Sequence, residues 1–277
     1  MFKNYLKIAW RNLKKQPFFT FLNTFGLAIG MAGGLLISLY LYDELNYDNM
    51  FADADRIHRI NVDIKFGGEM SELAQASAPM AAVMRNDFQQ VELITRFNNR
   101  SSMLVKKSES NLTIKELNTT FVDGTFFEMF GLELLSGDKN TALKEPNTLI
   151  LTKTAAERHF GAQEALGKTL VLNNSDTYTV TGILEDLPKN SFMRDHTVFM
   201  AMAGDERALG NEWGNHNYTT FIKTMPSANI ADLQAPLQSL FETYMIPWVQ
   251  GFMPGTTLEN FEASGNYINY STIALPD

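Results

Sequence analysis

Four histidines, two neighbouring carboxylate pairs and no cysteine are the raw material from which this chain could build chemistry. A zinc-binding or catalytic histidine needs partners at a set spacing, such as His-Glu-x-x-His on one helix. His58, His159, His196 and His216 have none. Asp195-His196 offers one carboxylate and one imidazole, too few for a metal. Asp53/Asp55 and Glu185/Asp186 fall in turn-like sequence, where solvated charge is the default. Without cysteine there is no disulfide, thiolate nucleophile or zinc ribbon. Gly-x-Ser-x-Gly and EF-hand spacings do not occur. Asn111-Leu112-Thr113 and Asn118-Thr119-Thr120 fit a glycosylation triplet, a pattern short enough to arise by chance. The expectation is a protein that is not an enzyme, with no catalytic, cofactor-binding or metal-binding residue and no cofactor.

If the side chains do no chemistry, the elements carrying them must say what the chain is for. The net charge of −8 is unevenly spread. Lys3, Lys7, Arg11, Lys14 and Lys15 stand in the first 42 residues with no acid. All 31 acids and the other 18 bases follow. An acidic body is a poor partner for nucleic acid, whose binding rests on cationic contacts to phosphate.

From Phe18 to Tyr42 no ionisable group interrupts the chain except the terminal tyrosines. A helix rising about 1.5 Å per residue crosses a hydrocarbon core of about 30 Å in about 20 residues. The run is longer than a signal-peptide core and ends in bulky Leu39-Tyr40-Leu41-Tyr42 rather than a small-residue cleavage site. No lysine follows its glycines, so it is not a phosphate loop. The sequence predicts a membrane helix and stalk over 18–49. Bases before it and Asp43, Glu44 and Asp48 after it put the N-terminus in the cytoplasm and residues 50–277 outside. Gly26, Gly30 and Gly34 share one helix face. That is a small-x-x-x-small pattern for packing against another span, or simply the glycine that membrane helices tolerate. Before the span, residues 1–17 read as an amphipathic helix lying in the cytoplasmic interface, with Pro17 as the break. The plainer reading is a basic flank that sets orientation.

The body reads as alternating strands and helices. Ile60, Val62 and Ile64 alternate with polar residues, as in a half-buried strand closed by Gly67-Gly68. Ser77 before Pro79 reads as the start of a capped helix through Met80, Val83, Met84 and Phe88. Val91 to Phe97 alternates again. Further strands are expected at 117–122, 148–151, 169–172, 177–184 and 218–223. Short helices are expected at 125–130, ended by Gly131, and 153–160, capped by Thr152 and ended by Gly161. Asn173-Asn174-Ser175-Asp176 is a hairpin signature. The segment 185–217 is irregular. Ile230 to Met245 reads as helical, with Pro236 kinking or dividing it. The strand–helix grammar near residue 60 recurs near 218. The fold class expected is α+β: one transmembrane helix, then a porter-like α/β domain over 50–277 with an inserted β-rich subdomain.

These elements carry four stretches that resemble one family in order. NYLKIAWRNLKKQPFFTFLNTFGLAIGMAGGLLISLYLYDELNYDNMFADADRIHRI resembles the start of MacB/FtsX-type ABC transporter permeases. FVDGTFFEMFGLELLSGD, LTKTAAERHFGAQEALGKTLVL and YTVTGILEDLPKNSFMRD resemble later segments of their periplasmic core domain. The resemblance implies an inner-membrane permease that couples a partner's cytoplasmic ATP hydrolysis to movement of periplasmic domains, in efflux or export. The partners it implies are a cytoplasmic ABC ATPase, a second copy or permease half, the lipid bilayer, and a periplasmic adaptor or outer-membrane protein. Family members continue into further spans, so the sequence reads as the N-terminal part of a permease. The alternative reading is a single-span anchored periplasmic sensor or ligand-binding module.

Overall fold

A computed structural model describes residues 2–108 and 112–275. Asn111 of the first glycosylation triplet lies outside the described residues. The chain divides into two compact units, one ending at Tyr47 and one beginning at Asp48.

The first unit is two helices, α1 (Phe2–Lys15) and α2 (Pro17–Leu45). Lys14 and Lys15 close α1, where cations suit the negative end of the helix dipole. Pro17 opens α2, a position whose missing N–H is no loss. The Thr20 hydroxyl donates to Leu13 O across the break at 2.8 Å. At about 1.5 Å per residue, 29 residues reach about 44 Å. The helix does not run on to Asn49 as the pattern suggests. Asn46 Nδ2 turns back onto Tyr42 O at 2.6 Å. The N–H groups of Asn46 and Tyr47 bond three residues back, tightening the last turn.

The second unit begins with a 3₁₀ turn at Ala54–Arg56, then β1 (Ile57–Phe66), β2 (Glu69–Leu73), β3 (Ala76–Ser77), α3 (Met80–Asp87) and β4 (Val91–Lys107). It continues through β5 (Thr113–Val122), α4 (Phe126–Phe130), β6 (Leu134–Gly137), β7 (Thr148–Thr152), α5 (Lys153–Phe160), β8 (Thr169–Leu172), β9 (Asp176–Leu184) and β10 (Val198–Ala201). It ends with β11 (His216–Thr224), α6 (Gln234–Leu240), α7 (Ile246–Gln250), α8 (Leu258–Ala263) and β12 (Tyr267–Ala274).

Two interlocked parts emerge from the pairing. β12, β1, β11 and β4 lie side by side, every neighbour antiparallel. With α3 after β1 and α6 after β11, this is the split β-α-β arrangement of ferredoxin-like folds. Ile60, Ile94, Ile222 and Tyr270 turn one face of that sheet onto Met84 and Leu237. The chain between β4 and β11 forms the β-rich insertion. There β4, β5, β10, β7, β9 and β8 bond in sequence, and β8 pairs back onto β4, closing a ring. Leu149, Leu151, Leu170, Val180, Val198 and Met200 pack together in a core of this ring. Closure covers most of the edges of these strands, leaving a stretch of β4 between its pairings with β11 and β8.

Local signals hold where the chemistry is local. Thr152 Oγ1 accepts from Ala155 N at the start of α5. Asn173 and Asn174 both take positive φ in the hairpin turn joining β8 to β9, as a tight turn between twisted strands requires. Two expectations are corrected, and one is decided between its alternatives. Ser77 does not cap α3, because β3 is bonded into the sheet opposite His216 and Tyr218; Pro79 occupies the cap position without a side-chain bond. The irregular segment 185–217 contains β10, buried along its whole length. Of the two readings at Pro236, division is the one seen: a 3₁₀ turn at Ile230–Leu233 leads into α6, and a π turn at Phe241–Met245 separates it from α7.

At one margin of the sheet, β12 pairs only with β1 among the described residues. Gln234 and Gln238 of α6 donate their Nε2 groups to its carbonyls, Tyr270 O and Ile268 O, each at 3.0 Å.

Candidate functional site at the root of the body

No residue of α2 is buried. A Cβ placed at Gly26, Gly30 or Gly34 would meet nothing within 4 Å beyond its own helix. The glycines line one face at four-residue spacing, as the sequence implies. Among the described residues α2 is the one helix long and apolar enough to cross a membrane.

Three residues past the end of α2, Asp48 is held from two sides. Its N–H donates to Asn190 O, and its carboxylate Oδ1 accepts from Phe192 N, each at 2.9 Å. Burial pushes the Asp48 carboxyl up, and the bond from Phe192 N–H pulls the other way. Its positive φ of 56° tightens the turn, a conformation Asp tolerates better than most residues. Phe51 then enters the core beside Phe130 (5.1 Å between ring centres) and Phe192 (6.2 Å).

Those rings belong to a cluster between the four-stranded sheet and the insertion. Phe97 of β4 meets Phe126, Phe130, Phe192 and Phe221 at 5.6–5.9 Å, all edge-on. Edge-to-face contact is the favoured geometry for aromatic pairs. Phe199 of β10 stacks on Phe126 at 5.1 Å. One cluster therefore gathers the segment after α2, both parts of the sheet, and α4.

Asp53 is not simply solvated. Lys223 Nζ reaches it at 2.8 Å and Arg56 Nη2 at 2.9 Å, and the Lys223 hydrogen bond leads in holding its carboxyl below the usual range. Arg56 also donates to Glu92 and to Thr224 O. These bonds tie the segment after the root to β4 and β11.

The model of the MacB-like periplasmic core domain matches residues 20–240, most of the chain. The chain belongs to this family. The MacB-like body is also recognisable by shape. A domain assigned to a permease from Porphyromonas gingivalis superposes with a TM-score of 0.66, at 24% identity, over 81% of this chain and 91% of that one. The periplasmic region of MacB from Actinobacillus actinomycetemcomitans gives 0.51, at 15% identity, over 76% and 96%. At such identities the likeness establishes the fold. No curated protein matches the sequence. Family membership supports a general transporter role and suggests a transporter component rather than an enzyme.

In the MacB-like body the titratable groups are used for holding. Glu116, 1% exposed along its side chain, accepts from Arg158 Nη1 at 2.6 Å and Thr197 Oγ1 at 2.8 Å, and contacts His159 Nε2 at 2.9 Å. Burial would raise this carboxyl, but the hydrogen bonds from His159, Arg158 and Thr197 prevail and hold it at about 2. Its ordinary value is 4.5, so the unfolded chain takes up this proton first as pH falls. The network's stabilisation is whole above pH 4.5 and is lost as pH drops from there towards about 2. It amounts to about 3 kcal/mol at neutral pH. Melting temperatures recorded from pH 6 down to about pH 3 should fall less steeply in Glu116→Gln than in the unaltered chain. An equally steep fall would mean that Glu116 is not an acid-sensitive tie.

The other titratable candidates are dispersed. His196 Nε2 lies 3.2 Å from Asn99 Oδ1, and burial lowers its pKa. His216 is buried near Tyr270, and burial lowers its pKa too. His58 is buried in β1. Asp186 accepts from Thr154 N and Oγ1 near the start of α5. Glu185 faces Lys153 at 3.9 Å. Among the described residues, no three His, Asp or Glu side chains gather as a metal site.

Sequence reasoning missed the Asp48 root, the Glu116 network and a clamp around Arg96. Arg96 grips Asp123 with Nε and Nη2, both at 2.9 Å, and its Nη1 donates to Ala78 O and Ala208 O. The available signal was that DELNYD and LPKNSF are both family stretches. The structure brings Asp48 of the first against Asn190 and Phe192 of the second.

Proposed function

We propose that this chain is the anchored periplasmic part of an ABC transporter permease and that it acts mechanically, carrying movement from the membrane into the body. One observation supports this above the rest. From Asp48 the body is bonded into the Phe97 cluster within four residues, and it begins three residues past the end of the membrane-length helix. In this reading residues 1–17 lie in the cytoplasmic interface, 18–49 form the span and its stalk, and 50–277 stand in the periplasm. The Gly26, Gly30 and Gly34 face packs against the span of a second copy or permease half. A cytoplasmic ABC ATPase supplies the motion, and a periplasmic adaptor or outer-membrane protein receives what is moved.

The assembled transporter tests the reading. Spin labels at Leu209→Cys, an exposed site, report the separation of two bodies. Adding ATP with vanadate is expected to shift that separation. A flexible Gly-Ser insert between Tyr47 and Asp48 is expected to abolish the shift while leaving the melting temperature of the body unchanged. A separation indifferent to nucleotide, or one that still responds through the insert, would refute mechanical transmission.

A further inference from the structure

β4 pairs with β5 along most of its length, from Phe97 to Lys106. Its other edge is met twice, by β11 as far as Phe97 and by β8 from Val105, both antiparallel. Between them, from Asn98 to Met103, no strand among the described residues lies against it. Six extended residues span about 20 Å. A groove of about 620 Å³ follows this stretch, lined by Asn99, Arg100, Ser102 and Met103, with Tyr178 and Arg207 among its other walls. The stretch NNRSSM has neither of the usual edge guards, proline or lysine.

The two arginines of the groove are only loosely paired. Asp205 stands 3.7 Å from Arg100 Nη2 and 3.7 Å from Arg207 Nε, too far for a hydrogen bond to either. Asp205 Oδ1 accepts instead from the Arg207 backbone N–H. Its Oδ2 is buried without a hydrogen bond. Arg100 lies over the Phe121 ring at 5.4 Å. Asp205 is thus a loose ion-pair neighbour of both guanidiniums, and Asp176 also lines the groove; with five N–H donors each, Arg100 and Arg207 still keep donors for an incoming acceptor.

We propose that this groove takes an extended, acidic peptide segment, which adds as a strand beside β4 in the gap between β11 and β8. Main-chain bonds to the open edge supply the affinity, and Arg100 and Arg207 select carboxylate side chains. The inference does not depend on the transporter reading.

The probe is the peptide acetyl-Thr-Glu-Val-Glu-Thr-amide, added at millimolar concentration to the full chain in detergent micelles. Amide hydrogen exchange over 98–103 is expected to slow at least about tenfold. The same peptide N-methylated at alternate residues cannot complete the main-chain bonds and is expected to leave exchange unchanged. Arg207 is largely exposed, so Arg207→Glu should fold normally, as its melting temperature will report; it is expected to weaken the acidic probe at least about tenfold. Exchange that does not slow, equal protection by the methylated peptide, or undiminished binding to folded Arg207→Glu would each overturn the proposal.

Discussion

Alanine at position 96 is expected to cost the body about 3–5 kcal/mol, the range for stripping one partner from a buried ion pair. Arg96 is 8% exposed. Besides gripping Asp123 by two parallel bonds, it supplies the acceptor Ala78 O with a donor before α3 and Ala208 O with one from the insertion. Its truncation leaves the Asp123 carboxylate, 14% exposed, without its cation, and Ala78 O and Ala208 O without this donor. Lysine should rescue little, because an ammonium cannot reproduce the planar fork. Denaturant unfolding checks both variants. The double variant Arg96→Ala/Asp123→Asn separates the pair from general damage: it should be more stable than Arg96→Ala alone, since the uncompensated charge is gone. If it is less stable by the sum of the single losses, the clamp is not a coupled pair.

The second large effect is expected at the next residue. Phe97→Ala removes a ring, 1% exposed, that touches four others. Emptying such a site typically costs 3–5 kcal/mol. The cost here should sit in the upper half of that range, because the edge-on pairs are lost with the buried area. Phe97→Leu should cost about 1–2 kcal/mol, as it refills part of the space. Phe97 stands where β4 passes from the four-stranded part into the ring, so its loss should also divide the thermal transition. Calorimetry is expected to show two overlapping transitions in Phe97→Ala and one in the unaltered body. A single transition with a loss below about 1 kcal/mol would mean that the cluster does not join the two parts.

What could be read in advance follows from how far each contact reaches along the chain. Thr152, Gly131 and Asn173-Asn174 act within a few residues of themselves, and their roles were legible. β1 and β4 were legible because one face of each alternates. β10 was not: all four of its residues are buried, so no polar–apolar rhythm marks it, and it has one β-branched residue where the equally buried β7 has three. The closing of the ring through β8 depends on register with Val105, Lys106 and Lys107, more than sixty residues upstream. The root and the clamps were invisible for the same reason. Glu116 draws partners from 42, 43 and 81 residues away. Asp48 finds Phe192 at a separation of 144. A single sequence announces such residues only as polar side chains in apolar surroundings. That Gly26, Gly30 and Gly34 share a face was legible, because it follows from spacing along one helix.

The paired amides on β12 bear on how copies of this protein can share a crowded compartment. Four residues of helix advance about 6 Å, and two residues of strand about 6.6 Å. Gln234 and Gln238 are thus commensurate with alternate carbonyls of the strand they cover. Tyr267–Ala274 is uncharged and β-prone, the composition that recruits foreign strands. With two of its acceptors occupied by its own helix, polymerisation from that margin meets a competitor already in place. Contacts between copies are then left to other surfaces of the body.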